Sequence, residues 1–333
     1  MCRQLTSRGS ATVLAAAVAL ASACGSDDDG NVVADSGPDI DATAIDAAPL
    51  DAFVPANCNQ LVKPTAQANF ISHIPASEDF GFDNAGSLIG VSLDNGALVR
   101  TAYPAGSTPE IIVPGVSQQN FARGTRQLPG GDIVVAVPDR NIVERYAANG
   151  SVTPLAQVND PNGIVIGDDG MIYITAGSGT VDRIDPDTGD KLNLHNADTS
   201  FDGITLSPNG TSLYFNQEEG TVRELIIDEN GAVGTPQTLT SVAIEFLLDG
   251  MTTDACGNIY IVEMAGVIWR YSTAGVLEQW VTASQLPQAD LIPAVNFGSG
   301  IGGWKNTSLY IMSFGGGVFE IDVGVVGRPT ANL

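Results

Sequence analysis

The chain has 333 residues and carries 38 Asp and Glu against 14 Lys and Arg, a net charge of -24. A surface this acidic repels the phosphate backbone, so the composition excludes a nucleic-acid-binding protein. Apolar residues make up 44% of the chain, which is enough to build a core, and the 38 Gly and 18 Pro indicate many turns. With only two histidines, His73 and His195, a His-rich metal site and a conventional Ser/His/Asp triad are both disfavoured.

The N-terminus has the pattern of a secretory signal. Basic residues precede an apolar run at 11–20 that is too short to span a bilayer, and small residues at 21–23 precede Cys24. The pattern resembles a bacterial lipoprotein signal, although Ala21 stands where Leu is usual. We therefore expect cleavage after residue 23 and a lipid on Cys24. An ordinary secretory signal is the alternative.

The next segment, 24–57, is predicted to be an acidic, disordered tether. It contains eight Asp and no Lys or Arg, and it offers few large apolar side chains to bury. We expect a protein of the bacterial cell envelope that contacts the membrane only through its lipid. Because Gly25 and not Asp follows Cys24, the outer membrane or cell surface is favoured over the inner membrane.

A repeat begins at about residue 66 and consists of a turn followed by an apolar strand. The turn recurs at intervals of 39 to 49 residues, at 84–86, 129–131, 168–170, 208–210, 255–257 and 304–306. This period is typical of propeller blades with four strands each. The sequence therefore predicts an all-β fold, a six-bladed β-propeller over residues 58–333.

The sixth blade is one strand short, since the chain ends soon after Ile321. The segment 69–74 has strand character but no blade of its own. We predict that it pairs with the last blade and closes the ring, which removes an exposed sheet edge. His73 would then lie on an outer strand, as would His195 in blade three, and both would be structural.

Polar residues recur at the start of the first strand of the predicted blades. In a propeller the first strand of every blade starts at the same end of the central channel. We locate this start in each blade as the residue eight positions before the turn glycine. These residues are Glu78, Arg123, Asn162, Asp202 and Asp249, and in the sixth blade the position falls near Gly298 and Ser299. Carboxylates brought together on one axis repel unless a cation lies among them. Oxygen ligands without His or Cys favour Ca²⁺, and next Mg²⁺ or Mn²⁺.

Two other interpretations of these residues remain open. Asn162, Asp202 and Asp249 each precede Gly, and Asn-Gly and Asp-Gly are common turn dipeptides that need bind no metal. The guanidinium of Arg123 would neutralise Glu78 or Asp202 and replace part of a cation's charge, or it would hold a substrate carboxylate or hydroxyl. The channel is therefore either a metal site or a polar channel without metal.

Two cysteines, Cys58 and Cys256, remain in the mature chain besides Cys24. An oxidising compartment would permit a disulfide between them. Two buried thiols are the alternative.

The starts of four blades resemble those of the gluconolactonase, regucalcin and luciferin-regenerating-enzyme family. The matching segments are 77–83, 161–164, 202–210 and 249–251, and the resemblance extends over about residues 66–323. The 77–79 segment is also similar to paraoxonase and strictosidine-synthase-like propellers. The resemblance implies a six-bladed propeller that binds one divalent cation, often calcium, and hydrolyses lactones.

By this resemblance Glu78, Asn162 and Asp249 would be metal ligands, and Asp202 stands where the family usually has Asn. The implied activity is metal-dependent hydrolysis of a lactone or related ester by a monomer. The cation would polarise the carbonyl, Asp249 would also activate water, and Arg123 would orient the substrate. Two other classes remain open: a surface-tethered propeller that only binds a ligand or protein partner, and a lyase or carbon–carbon bond-forming enzyme.

Overall fold

Short strands joined by turns make up the chain in the computed structural model, which describes residues 57–103, 108–119 and 121–330. The predicted signal peptide, Cys24 and the tether up to residue 56 lie outside these residues. Within the described residues, six antiparallel sheets follow one another along the chain, as the repeat predicts. Among these residues, no helix is both long and apolar enough to cross a bilayer.

The first strand, β1 (Asn69–Ile71), belongs to the last blade. Blade one contains β2 (Phe80–Phe82), β3 (Ser87–Val91), β4 (Leu98–Ala102) and β5 (Glu110–Val113). Blade two contains β6 (Thr125–Gln127), β7 (Ile133–Val137), β8 (Ile142–Tyr146) and β9 (Val152–Gln157). Blade three contains β10 (Pro161–Ile166), β11 (Ile172–Ala176), β12 (Thr180–Ile184) and β13 (Lys191–Asn196).

Blade four contains β14 (Phe201–Leu206), β15 (Ser212–Gln217), β16 (Thr221–Asp228) and β18 (Gln237–Ser241), and the short β17 (Gly231–Ala232) pairs with the end of β16. Blade five contains β19 (Leu248–Thr253), β20 (Ile259–Glu263), β21 (Val267–Tyr271) and β22 (Leu277–Val281). Blade six contains β23 (Val295–Phe297), β24 (Ser308–Met312), β25 (Val318–Asp322) and β1. The described residues also form 3-10 helices at Cys58–Gln60, Pro138–Arg140 and Ala283–Gln285.

The core lies between neighbouring blades. The second strands β7 and β24 are buried at every position, because both of their faces are covered by other blades. Their sequences are accordingly apolar, apart from Ser308 at the start of β24. The outer strand β9 is largely exposed and carries polar residues. The innermost strands start at one end of the central channel, here called the upper end, and finish at the lower end.

The ring closes through β1, as predicted. β1 pairs with β25 in antiparallel register, with Phe70 opposite Phe319. The strand ends at Ile71, however, and the exposed His73 has φ 65°. A residue in the left-handed region cannot continue an extended strand, so the prediction that His73 lies on this strand is wrong. His195 does lie on β13, the outer strand of blade three.

A disulfide joins Cys58 to Cys256, which lies in the turn between β19 and β20. The chain after Cys58 follows blades five and six: the Val62 amide donates to the Val323 carbonyl at 2.9 Å, and the Gln285 side chain donates to the Pro64 carbonyl. The segment that leads into the closing strand is therefore tied to the lower end of blade five.

The predicted position in the sixth blade is wrong. Residues 298–307 connect β23 to β24, whereas 128–132 connect the equivalent strands of blade two. Counting back eight residues from the turn at 304–306 therefore stops short of the inner strand, and Gly298 and Ser299 fall at the lower end of the channel. At the upper end, blade six contributes Pro293 and Ala294.

Candidate metal centre

Three of the predicted residues occupy the same position in their inner strands. Asn162, Asp202 and Asp249 are each the second residue, in β10, β14 and β19. In all three strands the register against the neighbouring strand shifts between the first and fourth residues. The polar residue and the glycine after it therefore form a β-bulge. A bulge redirects a side chain out of the strand's usual alternation.

The glycines after these residues are required by close contact between blades. A Cβ on Gly163 would lie 2.7 Å from the Asp202 carbonyl oxygen, and a Cβ on Gly203 would collide with the Asp249 carbonyl oxygen. Neither glycine has the positive φ that turn glycines adopt. The turn-dipeptide interpretation is therefore wrong here, because Gly at these positions permits close approach of the next blade's backbone.

The upper end of the channel brings the acidic residues together. Carboxylate oxygens of Glu78, Asp202 and Asp249 all lie within 4.8 Å of one another. With 6%, 9% and 6% of their surface exposed, these residues are buried. Together with the buried Asn162 they line a cavity of about 20 Å³. This volume accommodates about one water-sized occupant, and the side chains of Glu78, Asn162, Asp202 and Asp249 offer it oxygen ligands, so the size and these ligands both fit a single hard cation.

Burial dominates the electrostatics of this cluster. It raises the pKa of Asp202 to about 7, although a hydrogen bond with Asp249 and the charge of Arg123 oppose the increase. Burial and the charge of Asp202 raise the pKa of Glu78 well above its ordinary value, and burial with the charges of Asp202 and Glu78 does the same for Asp249. A cation that binds this cluster must therefore displace protons near neutral pH.

Arg123 lies beside the cluster and not within its set of oxygens. Its Nε is 3.7 Å from Glu78 Oε1, its Nη1 is 3.0 Å from Asp160 Oδ1, and its guanidinium lies over the Phe121 ring at 5.5 Å. The buried Nε makes no hydrogen bond with the residues that the structure describes. One guanidinium cannot neutralise three carboxylates, so Arg123 can replace only part of a cation's charge.

Asp79 and Arg126 also line this cavity, although neither stands at the position eight residues before a turn glycine. Arg126 Nη1 donates to Asp79 Oδ2 at 2.7 Å and to the Phe80 carbonyl oxygen at 2.9 Å. The consecutive acids Glu78 and Asp79 are a sequence signal for Asp79, but nothing in the repeat indicates Arg126.

Two further polar residues hold the bulges in place. Thr175 Oγ1 accepts from the Gly163 amide at 3.0 Å and donates to the Asp202 carbonyl oxygen. Asn216 Oδ1 accepts from the Gly203 amide at 3.1 Å, and Asn216 Nδ2 donates to the Asp249 carbonyl oxygen at 2.5 Å. The signal in the sequence is a polar residue, Thr175 or Asn216, next to the last residue of each of the second strands β11 and β15.

Comparison with known proteins adds family information to this geometry. The model of the family described as SMP-30/Gluconolactonase/LRE-like region matches residues 130–315, which is more than half of the chain. That range contains Asn162, Asp202 and Asp249. A comparison with curated protein sequences finds no match.

Solved structures show the same fold at low sequence identity. A gluconolactonase from Xanthomonas campestris aligns with TM-score 0.64 and 16% identity over 82% of this chain and 97% of that one. A calcium-binding regucalcin from Agrobacterium tumefaciens aligns with TM-score 0.64 and 18% identity, over 81% and 98%. A virginiamycin B lyase from Staphylococcus aureus aligns with TM-score 0.56 and 15% identity, over 73% and 79%.

Proposed function

The chain belongs to the SMP-30/gluconolactonase/LRE-like family, and on that premise we propose that it hydrolyses a lactone or related ester with a divalent cation bound in its channel. One observation carries the proposal: three buried carboxylates from different blades converge on a cavity for about one small occupant. The family supports lactonase-like chemistry in general terms. The residues around the cavity support the more specific assignments that follow.

Ca²⁺ is the cation that we propose. Glu78, Asn162, Asp202 and Asp249 offer only oxygen, the donor that hard cations prefer, and they include neither His nor Cys. Asp202 adds a charge where the resemblance implies Asn, and this charge strengthens the attraction for a divalent ion. Mg²⁺ and Mn²⁺ are the alternatives, and titrating each of them in place of Ca²⁺ distinguishes them.

When bound, the cation supplies positive charge that polarises the carbonyl and stabilises the developing oxyanion. Asp249 takes the proton from the attacking water. Burial and the charges of Asp202 and Glu78 raise its pKa in the metal-free protein, and with a cation bound the carboxyl group would be ionised so that it can accept a proton. Without a cation, a hydrogen bond with Asp202 holds this carboxyl group in place.

Arg123 orients the substrate in this proposal. Its buried Nε has no hydrogen-bond partner in the described part of the chain, so it has a donor to offer to the substrate's ester oxygen or the product's carboxylate. Its contacts with Asp160 and the Phe121 ring hold the guanidinium beside the cluster.

Calcium titration and a lactone screen test the proposal together. We expect one-site calorimetric binding of Ca²⁺ to the metal-stripped protein, and hydrolysis within a panel of sugar and aliphatic lactones. Asp249→Asn should lose both. Asp187→Asn makes the same change at a side chain that is 87% exposed, and it should keep both.

The outcomes separate the alternative functions. Unchanged hydrolysis in Asp249→Ala would contradict the proposed base. Retention of a ligand or protein partner without metal binding or turnover would favour a propeller that only binds. A product that retains all substrate carbons and takes up no oxygen from labelled water would indicate lyase chemistry.

A further inference from the structure

The channel contains a second and larger cavity below the acidic cluster, here called the lower chamber. It has a volume of about 270 Å³ and is lined by the ends of the inner strands, including Phe82, Ile166, Thr252 and Phe297. None of the clustered carboxylates lines it. Its volume is close to the lower limit of about 300 Å³ for pockets that bind small molecules.

The lining of the lower chamber is not acidic, although the protein carries a net charge of -24. Among the described residues that line it there is no Asp or Glu, while Arg126 and Arg328 are both present. Apolar walls come from the aromatic rings of Phe82 and Phe297, and Asn296 and Thr252 add polar groups. This lining favours an anion with an apolar body.

The two arginines differ in how far their donors are used. Arg328 donates through Nε to the Ser207 carbonyl, through Nη1 to the Pro329 carbonyl and through Nη2 to Asp168 at 2.6 Å. Arg126 makes all its hydrogen bonds through Nη1. Its Nε and Nη2 have no partner among the described residues, so one edge of this guanidinium is available. A planar carboxylate is the group that pairs best with such an edge.

The C-terminal segment 326–330 builds one wall of the lower chamber. The Gly327 amide donates to the Asn306 carbonyl of blade six, and the Arg328 amide donates to the Thr253 carbonyl of blade five, each at 2.9 Å. The buried Arg328 side chain then reaches blades three and four through Asp168 and Ser207. Four blades thus hold this segment across the lower end of the channel.

We propose that the lower chamber is a second binding site, which takes a small carboxylate with a compact apolar body. Arg126 pairs with the carboxylate, and Phe82, Phe297 and Pro329 cover the apolar body. This site shares Arg126 with the upper cavity but contains none of the clustered carboxylates, and it does not depend on the proposed hydrolase activity.

Benzoate is the probe, and neutral benzamide is its matched control. Calorimetry is done on the full chain after a chelating resin has removed divalent cations. We expect benzoate to bind at least about tenfold more tightly than benzamide. Arg126→Gln removes the available edge, and Ser299→Trp fills the mouth of the chamber from a partly exposed loop. Both variants should lose benzoate, whereas Asp249→Asn should bind it as the wild type does.

No benzoate binding at up to about 10 mM would overturn the proposal. Loss of binding in Asp249→Asn with retention in Ser299→Trp would also overturn it, because benzoate would then occupy the upper cavity. A crystal soaked in 4-bromobenzoate gives a test that needs no variant. Bromine between Phe82 and Phe297 supports the proposal, and bromine beside Asp249 contradicts it.

Discussion

The side-chain amide of Asn216 donates a 2.5 Å hydrogen bond to the main-chain carbonyl oxygen of Asp249, across the boundary between blades four and five. The same side chain accepts from the Gly203 amide, next to Asp202. One buried amide therefore fixes the bulges that carry two of the three clustered carboxylates. Thr175 makes the equivalent pair of contacts between blades three and four.

Asn216→Leu should weaken Ca²⁺ binding by about tenfold or more, because groups that orient metal ligands influence affinity to that extent. It should also lower the free energy of unfolding by about 1–3 kcal/mol for each backbone group left unpaired. Calorimetry and chemical denaturation measure the two effects. Asn209→Leu, at an exposed turn of the same blade, is the control. If the Asn216→Leu variant is destabilised but its calcium affinity is unchanged, Asn216 stabilises the fold and does not orient the metal ligands.

The metal-free protein should become less stable as pH rises from 5 to 8. Burial raises the pKa of Asp202 to about 7 in the folded state, from an ordinary value of 3.8. For an acid with a raised pKa, the folded state holds a proton that the unfolded state has lost. The stability from this group is therefore present at low pH and is lost as pH passes through about 7. The raised pKa values of Glu78 and Asp249 act in the same direction.

Thermal melts in chelator at pH 5, 6, 7 and 8 measure this dependence. Asp202→Asn should flatten it, and saturating Ca²⁺ should remove it, because the cation binds the ionised carboxylates. Identical pH profiles for wild type and Asp202→Asn would show that Asp202 does not titrate in this range.

Gly163→Ala should destabilise the protein by about 1–3 kcal/mol, the usual cost of forcing extra atoms into a packed site. The new Cβ would lie 2.7 Å from the Asp202 carbonyl oxygen and 3.1 Å from Thr175 Oγ1. Gly130→Ala is the matched control, since its Cβ would meet nothing within 4 Å and its φ is not in the left-handed region. Denaturation midpoints compare the two, and equal midpoints would argue against close packing of the blades at Gly163.

Arg123→Gln should bind Ca²⁺ more tightly at pH 8 and hydrolyse substrate more slowly. It removes a positive charge 3.7 Å from Glu78 Oε1, and this charge repels a cation. It also removes the donor proposed for the substrate, so kcat/KM should fall. Arg183→Gln, on β12 of blade three, is the control. Weaker calcium binding in Arg123→Gln would mean that Arg123 supports the carboxylates more than it repels the cation.

The Cys58→Ser/Cys256→Ser double variant should lose about 2–4 kcal/mol of unfolding free energy, because the bridge closes a loop of 198 residues. Calcium affinity should be unchanged, since the bridge is at the lower end of blade five and the acidic cluster is at the upper end. Denaturation with and without reductant, followed by calcium titration, measures both. A large loss of calcium affinity would show that the bridge also positions Asp249.

The repeated turns and strands in the sequence were enough to predict the blades and most of the residues of the acidic cluster. The spacing of the turns predicted the number of blades, and the strand near Phe70, which belongs to no blade of its own, indicated how the ring closes. Glu78, Asn162, Asp202 and Asp249 could be found because a propeller repeats one geometry, so equal offsets from the turns place side chains at the same end of the channel. In blade six the offset from the turn differs, because the connection 298–307 between the first two strands is longer than in the other blades.

Contacts between distant parts of the chain were decided only in the folded molecule. The examples are the hydrogen bonds from Asn216 to Asp249, from Arg126 to Asp79 and from Arg328 to Asp168. The repeat in the sequence does not indicate which polar residue bonds to which. The raised pKa of Asp202 has the same origin, because burial between blades depends on the packing of the whole ring. The pattern of strands and turns depends on residues that are neighbours in the sequence. The hydrogen-bond partners and burial of the site residues, and the cavities of the channel, arise only when blades that are far apart in sequence pack around one axis.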